Sequence, residues 1–243
     1  MSSYQHSAAI YDAIYSFKDY AREAQDVHTV IQRHCRVKTD DHLTLLDVAC
    51  GSGHHLQHLQ QHYAAQGLDL EPGLLDVARE RCPNIIFVQG DMLDFDLGVQ
   101  FDAITCLFSA IGYVKTLDRL RAAVANMARH LHPGGVLVIE PWFAPEDWQP
   151  NTPHANFIDE PARKIARLTT SELCGSEDDG WFSRNDMHYL IATTDGVEHF
   201  VERHELGLFT SEHYLAAFRA ARLEVIYDPK GITGRGLYIG LQS

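Results

Sequence analysis

Asp47-Val48-Ala49-Cys50-Gly51-Ser52-Gly53 closes the apolar run Leu43–Ala49 and leads into a polar stretch over residues 54–63. An apolar run that ends in a glycine-rich turn reads as a buried parallel strand feeding a helix. Glycines in such a turn let the backbone approach a ligand closely, and the helix behind it presents free N–H groups. A dinucleotide site would place G-x-G-x-x-G here. Instead Leu56 stands at the third glycine position, and His54 and His55 crowd the turn. That pattern disfavours a pyrophosphate packed on the helix start and suits a ligand with no phosphate at this point.

Outward from this turn, the chain alternates strand and helix. Strands are predicted at Gln66–Leu70, Ile85–Gln89, Phe101–Leu107 and Val136–Glu140, with helices at Pro72–Arg81 and Thr116–Leu131. Pro133-Gly134-Gly135 reads as the turn that stops the second of these helices. The alternation implies an α/β, Rossmann-like, doubly wound parallel sheet. Asp69 ends the second strand sixteen residues after Gly53, where a carboxylate accepts from both hydroxyls of a ribose. Asp91, in Gln89-Gly90-Asp91-Met92, ends the third strand, where it accepts from an adenine amino group while Met92 covers the ring. Three such stops on adjacent strand ends specify adenine, ribose and an aminoacyl group.

The flanks read differently. Residues 8–35 have helical character, within an N-terminal lid of about residues 1–40. After Pro141 short apolar and polar groups alternate over about 154–210, with turns at Gly175–Gly180 and Asp195-Gly196, as in an antiparallel insertion after strand five. A helix at Ser211–Arg222 follows, then strands at 223–228 and 236–242, completing a seven-stranded sheet in one domain, 1–243. Thr210 or Ser211 suits the helix N-cap, and no capping box is expected there.

Of 243 residues, 33 are acidic and 20 basic, for a formal charge of −13, so a duplex phosphate backbone would be repelled. An anionic small molecule remains compatible if a few arginines gather locally. No membrane-length apolar run or signal-peptide core is seen, and a cytoplasmic location is the expectation. The five scattered cysteines, with no C-x-x-C pair, suggest buried reduced thiols. His54, His58 and His62 are spaced to share a helix face, but nothing completes a ligand set and no metal is expected.

In their order and spacing, DVACGSG, LDLEPGLLDVAR, QGDM, FDAITCLFSAIGY and HLHPGG, spanning about residues 43–140, resemble class I S-adenosylmethionine (SAM)-dependent methyltransferases. The resemblance implies SAM as cofactor, with S-adenosylhomocysteine as product. It also implies a donor site of Asp47, Ala49, Gly51, Gly53, Asp69, Leu70, Asp91, Met92, Phe108 and Tyr20. A narrower resemblance covers nearly the whole chain. Tyr11-Asp12-Ala13-Ile14-Tyr15 with Lys18-Asp19-Tyr20, Phe108 to Tyr113, Glu140-Pro141-Trp142 and Gly234-Arg235-Gly236-Leu237 look like nucleotide-linked amino-sugar N,N-dimethyltransferases of the desosamine and mycaminose type. This implies methylation of an amine on a thymidine-diphosphate sugar, an insertion lying over that substrate, and pairing into homodimers.

Several residues carry two readings. Tyr15, on the lid, either orients the acceptor amine or anchors a helix; Tyr11, four residues earlier, either lines the substrate pocket or packs. Lys18 and Asp19 read as a solvated pair. His188 and His204, in the insertion, are each a possible base or a satisfied structural histidine. His130 is expected to bond helix-end carbonyls. Glu140 and Trp142 either line the methyl-transfer pocket or stabilise a strand-end turn. Arg235 would grip a diphosphate with forked hydrogen bonds, or simply sit in a turn. The expected activity is SAM-dependent N-methylation of a small amine, a nucleotide-linked amino sugar first. The alternatives are another small-molecule acceptor, a non-catalytic SAM-binding module, and an NAD-dependent dehydrogenase.

Overall fold

The computed structural model describes residues 10–39, 41–176 and 180–243. Residues 1–9 of the expected lid, and the centre of the expected Gly175–Gly180 turn, lie outside the described residues.

Strands β1 (Thr44–Val48), β2 (Ala64–Asp69), β3 (Ile86–Gln89), β4 (Phe101–Cys106), β5 (Leu131–Ile139), β10 (Glu224–Asp228) and β11 (Leu237–Leu241) form one sheet. The order is β10-β11-β5-β4-β1-β2-β3, with β11 antiparallel between β10 and β5. Every residue of β4 is buried, as expected of a central strand covered on both faces. Helices α3 (His54–Leu59), α4 (Pro72–Arg81), α5 (Leu117–Arg129) and α6 (Ser211–Ala220) connect the strands. One core cluster packs Leu46, Ile104, Leu120, Val124 and Phe218; a second, Leu45, Leu56, Leu75, Val136 and Val138. At the end of the sheet away from the glycine turn, Asp102 accepts from the Thr44 N–H and hydroxyl, both at 2.8 Å, and contacts His132 Nδ1 at 2.9 Å.

The remaining strands, β6 (His154–Asp159), β7 (Lys164–Ser176), β8 (Gly180–Thr193) and β9 (Gly196–Gly207), form a separate four-stranded antiparallel sheet. This is the expected insertion, and its β8–β9 turn falls at Asp195-Gly196. One face, with Ile165 and Tyr189, joins Ile10, Ala13 and Ile14 in a third core cluster.

Four expectations are corrected. The helical stretch at 8–35 is two helices, α1 (Tyr11–Ile14) and α2 (Tyr20–His34). Asp19 breaks it by accepting from the Arg22 N–H at 3.0 Å as N-cap of α2, so it is not half of a solvated pair with Lys18. Pro133-Gly134-Gly135 lies inside β5 as a bulge, because the register jumps from Phe101↔Leu131 to Ala103↔Val136. A capping box does open α6: Thr210 Oγ1 accepts from the His213 N–H, and His213 Nδ1 accepts from the Thr210 N–H. A neutral imidazole thus takes the place usually filled by Glu or Gln. His130 Nδ1 bonds the Asn126 carbonyl at 2.8 Å, as expected. All five cysteines are free, and three are buried. No helix of the described residues is long and apolar enough to cross a membrane.

Gly67 holds β2 close to its neighbours. A Cβ there would meet the Phe87 ring at 2.6 Å and Cys50 Sγ at 2.9 Å. Gly67→Ala is expected to lower stability by about 1–3 kcal/mol through overpacking, read as a lower urea midpoint at unchanged slope.

Candidate active site

β1 ends on the turn Ala49–Gly53. Ala49, Gly51 and Gly53 all adopt left-handed backbone, with φ of 59°, 56° and 78°. Glycine at 53 is required twice over, since a Cβ would also press on Ala78 at 3.2 Å. Asp69, at the end of β2, holds the turn: its Oδ2 accepts from the Gly51 N–H at 2.7 Å and its Oδ1 from the Glu71 N–H at 2.9 Å. Burial pushes this carboxyl up, while the two N–H groups pull it back. Each oxygen keeps a further lone pair. Leu70 beside it is 59% exposed at the strand edge, a leucine left uncovered above a buried carboxylate. Asp91 begins the next turn, accepting from the Leu93 N–H at 3.0 Å, and Met92 packs half-buried on the core. Asp47 is placed differently from these. It is buried within the sheet and accepts from the Thr105 hydroxyl at 2.7 Å, and burial raises its carboxyl to about 6.

The lid closes onto this edge through charge. Asp12 of α1 accepts from Ser52 Oγ at 2.8 Å, contacts His54 Nε2 at 2.9 Å, and pairs with Arg81, which also donates to the Ser52 carbonyl. Burial opposes ionisation of Asp12, but the His54 and Ser52 hydrogen bonds and the Arg81 charge hold its carboxyl at about 2. Behind it Glu23 of α2 receives His55 at 2.9 Å and Lys18 at 2.8 Å, so Lys18 is buried in an ion pair. Tyr20 stacks on His54 with centroids 4.2 Å apart, and its hydroxyl is buried with no partner. That hydroxyl, Asp69 and the uncovered Leu70 suit a ligand bearing an amino-acid end, a ribose and a flat base. The donor implied by the sequence resemblance has these three parts.

A row of aromatics leads away from the turn. The space a Gly51 Cβ would fill faces the Tyr11 hydroxyl at 3.9 Å. Tyr11 and Tyr15 stand 4.7 Å apart between ring centroids, and Tyr15 meets Phe108 edge-on at 5.2 Å. Phe108 and Ser109 follow β4 in left-handed backbone, at φ 52° and 61°. Beyond Phe108 lies Arg235, whose guanidinium sits 5.1 Å from Trp142, 5.4 Å from Phe143 and 6.0 Å from Phe108 while donating to Ser109 Oγ at 3.0 Å. Among the described residues no carboxylate pairs with it. Desolvation therefore lowers its pKa.

The structure separates some residues that the sequence reading grouped. Alternation along β8 turns Ser183, Asn185, Met187 and Tyr189 inward and leaves His188 exposed, stacked on His199 on the outer face. His188 is therefore on the wrong side of the sheet to be a base. Glu140 is buried and both its oxygens are engaged, by the Phe108 N–H at 2.7 Å and the Thr233 hydroxyl. It pins the Phe108 loop, which is the structural of its two readings. Trp142 walls the cleft and donates to Ser183 Oγ at 3.1 Å.

Two features were missed. Arg167, on the inward face of β7, is buried and donates to the Tyr15 hydroxyl at 3.2 Å and to Asn156 at 2.9 Å, with its Nε unpartnered. Its parity with Ile165 was the available signal. The buried pair Glu202 and His204 on β9 meets Tyr113 from the turn Ala110–Val114. No local sequence signal joins residues so far apart.

A methyltransferase-domain family model matches residues 45–135. The chain is 41% identical to a dTDP-3-amino-3,4,6-trideoxy-alpha-D-glucopyranose N,N-dimethyltransferase of Streptomyces venezuelae, over 97% of this chain and 98% of the relative. It is 40% identical to a dTDP-3-amino-3,6-dideoxy-alpha-D-glucopyranose N,N-dimethyltransferase of Streptomyces fradiae, over 96% and 90%. Among solved structures, Streptomyces venezuelae DesVI superposes with a TM-score of 0.88 at 40% identity, covering 97% of this chain and 98% of that one. SAM-bound CalS10, an amino pentose methyltransferase from Micromonospora echinaspora, gives 0.83 at 38%, covering 100% and 99%.

The Asp12 clamp makes a pH-dependent prediction. Its carboxyl is held below the ordinary range, so its stabilisation is complete above an unfolded value of about 4 and lost as the pH falls through about 2. Wild type is expected to protect residues 11–18 from hydrogen exchange better than Asp12→Ala at neutral pH. The difference should shrink as the pH approaches 2.

Proposed function

The chain belongs to the family of dTDP-amino-sugar N,N-dimethyltransferases, and from that membership we propose that it methylates the amine of a dTDP-linked amino sugar, as a cytoplasmic enzyme acting on a small molecule. It is a SAM-dependent methyltransferase. The observation carrying the acceptor reading is Arg235. In a chain of formal charge −13, the Arg235 guanidinium is enclosed by aromatic rings with no direct ion pair among the described residues, Glu140 acting on it only at longer range, one aromatic row away from the donor turn. Such a cation is ready for a diphosphate's oxygens.

SAM, when bound, supplies a methyl group already activated on a sulfonium. The protein's own share is alignment and exclusion of water. On the donor side we assign Asp69 to the ribose hydroxyls, Leu70 and Met92 to the two faces of the base, Asp91 to its amino group and Tyr20 to the carboxylate. The Ala49–Gly53 turn forms the floor. On the acceptor side Arg235 and Ser109 take the diphosphate, and Trp142 walls the sugar. Tyr11 and Tyr15, with Arg167 behind Tyr15, close the roof.

Incubated with SAM and a dTDP-3-amino sugar, the protein is expected to add one or two methyl groups by mass. A dTDP-4-amino sugar run alongside discriminates the ring position. No mass gain on either, with SAM binding intact, overturns the sugar reading. Asp69→Ala is expected to weaken SAM binding by about 1–3 kcal/mol by calorimetry, because a charged acceptor for two hydroxyls is lost.

We further propose a homodimer through the outer face of the insertion sheet. Phe157 lies opposite Ala166, itself opposite Leu190, and Leu168 and Val201 flank His188. Phe157, Leu190, Val197 and Val201 are 75%, 42%, 70% and 45% exposed, an apolar patch of the kind that marks association. Phe157→Glu with Leu190→Glu is expected to convert a dimer to a monomer in light scattering while SAM affinity is kept. A monomeric wild type would overturn this.

A further inference from the structure

Glu202, His204 and Tyr113 form a line from the centre of the insertion sheet to the lid. His204 is 1% exposed and Glu202 6%, both on the inward face of β9. The turn carrying Tyr113 is held against that face because Gly112 has no side chain: a Cβ there would sit 3.1 Å from Leu206 and 3.2 Å from Trp142. The Tyr113 hydroxyl is 2.7 Å from His204 Nδ1, and His204 Nε2 is 3.7 Å from Glu202 Oε2. Asn185 on β8 donates to the His204 carbonyl at 3.4 Å and fixes the strand behind the ring. If Tyr113 donates to Nδ1, the ring's own proton lies on Nε2, facing the Glu202 carboxylate. An imidazole set between a hydroxyl and a carboxylate can take a proton from that hydroxyl at Nδ1 and hand it back, its Nε2–H facing the carboxylate throughout.

The Tyr113 end of this line lies towards Tyr11 of the N-terminal segment. Tyr113 lies within electrostatic reach of Tyr11, as do Tyr15, Tyr20 and Asp69. Across the sheet, Tyr189 faces Glu202, Arg167 and Tyr15. Around the line stand Arg167, whose neighbours Tyr15 and Tyr189 favour its charged form, and Tyr11, Tyr20 and Tyr189, whose hydroxyls burial pushes up and so keeps neutral.

Resting on the amino-sugar reading, we propose that Tyr113 touches the acceptor amine and removes its proton, with His204 and Glu202 as positioning residues behind it. The ammonium N–H bond breaks and a new O–H bond forms on Tyr113. The proton already on Tyr113 moves to His204 Nδ1, giving an imidazolium opposite Glu202. The amine is left neutral with its lone pair free, and tyrosine is unchanged overall. On opening of the cleft, the imidazolium returns its proton to bulk water by the same hydroxyl. After one methylation the secondary ammonium is relieved in the same way, so one relay serves both methyl additions.

The test uses the full chain, SAM and a dTDP-amino sugar, with kcat and KM measured across pH for wild type, Tyr113→Phe and His204→Gln. Melting and SAM affinity serve as checks on folding. Both variants are expected to lose kcat on the order of 10²-fold with KM little changed. The acid limb of kcat/KM should move to higher pH, because only amine already neutral in solution then reacts. A purely structural role would leave that limb in place. Tyr113→Phe removes one oxygen, so it keeps the test valid if His204→Gln fails to fold. A folded Tyr113→Phe with the wild-type kcat and acid limb overturns the relay. A wild type that binds SAM but methylates no amino sugar overturns the substrate reading, and the relay with it.

Discussion

The two N–H groups that the Asp69 carboxylate receives, from Gly51 and Glu71, join the end of β2 to the glycine turn after β1. A carboxylate buried this deeply is stable only while its hydrogen bonds are made. The constraint therefore runs both ways: the turn keeps its left-handed course because Asp69 holds it, and Asp69 stays ionisable because the turn satisfies it. Gly67 extends the constraint, since the strand lies against Phe87 and Cys50 too closely for any side chain.

The lid depends on that turn. Asp12 reaches Ser52, His54 and Arg81, so one side of α1 is attached to the start of α3 and the end of α4 by charge, while Ala13 and Ile14 pack its other side on the insertion sheet. Four residues form α1, too few to be stable as an isolated helix. The buried Lys18–Glu23–His55 group anchors the hinge side.

How far the site was legible depended on whether its parts were local. The positions of Asp69, Leu70 and Asp91 were readable because each lies at or just past a strand end within a contiguous motif. The acceptor side was not. His188 and His204 look equivalent as letters, yet strand parity exposes one and buries the other. Glu140 and Asp47 kept the places expected of them, but Phe108 and Thr233 engage both oxygens of Glu140, and Thr105 engages one oxygen of Asp47 inside the sheet. The α6 capping box escaped notice because histidine seldom plays the glutamate part.

Alternation and the glycine-rich turn were enough by themselves to determine the fold class and the place of the insertion, because those rest on periodicity and on backbone geometry within a few residues; the cofactor was implied by the resemblance that the motifs carry in their order and spacing. The tertiary structure decided which side chains meet: Arg235 among Trp142, Phe143 and Phe108, Arg167 under Tyr15, and Tyr113 against His204 across 91 positions. Contacts between distant segments depend on strand register and on the seating of two sheets and a lid. No local propensity encodes that seating; it follows from how the whole chain buries its apolar faces.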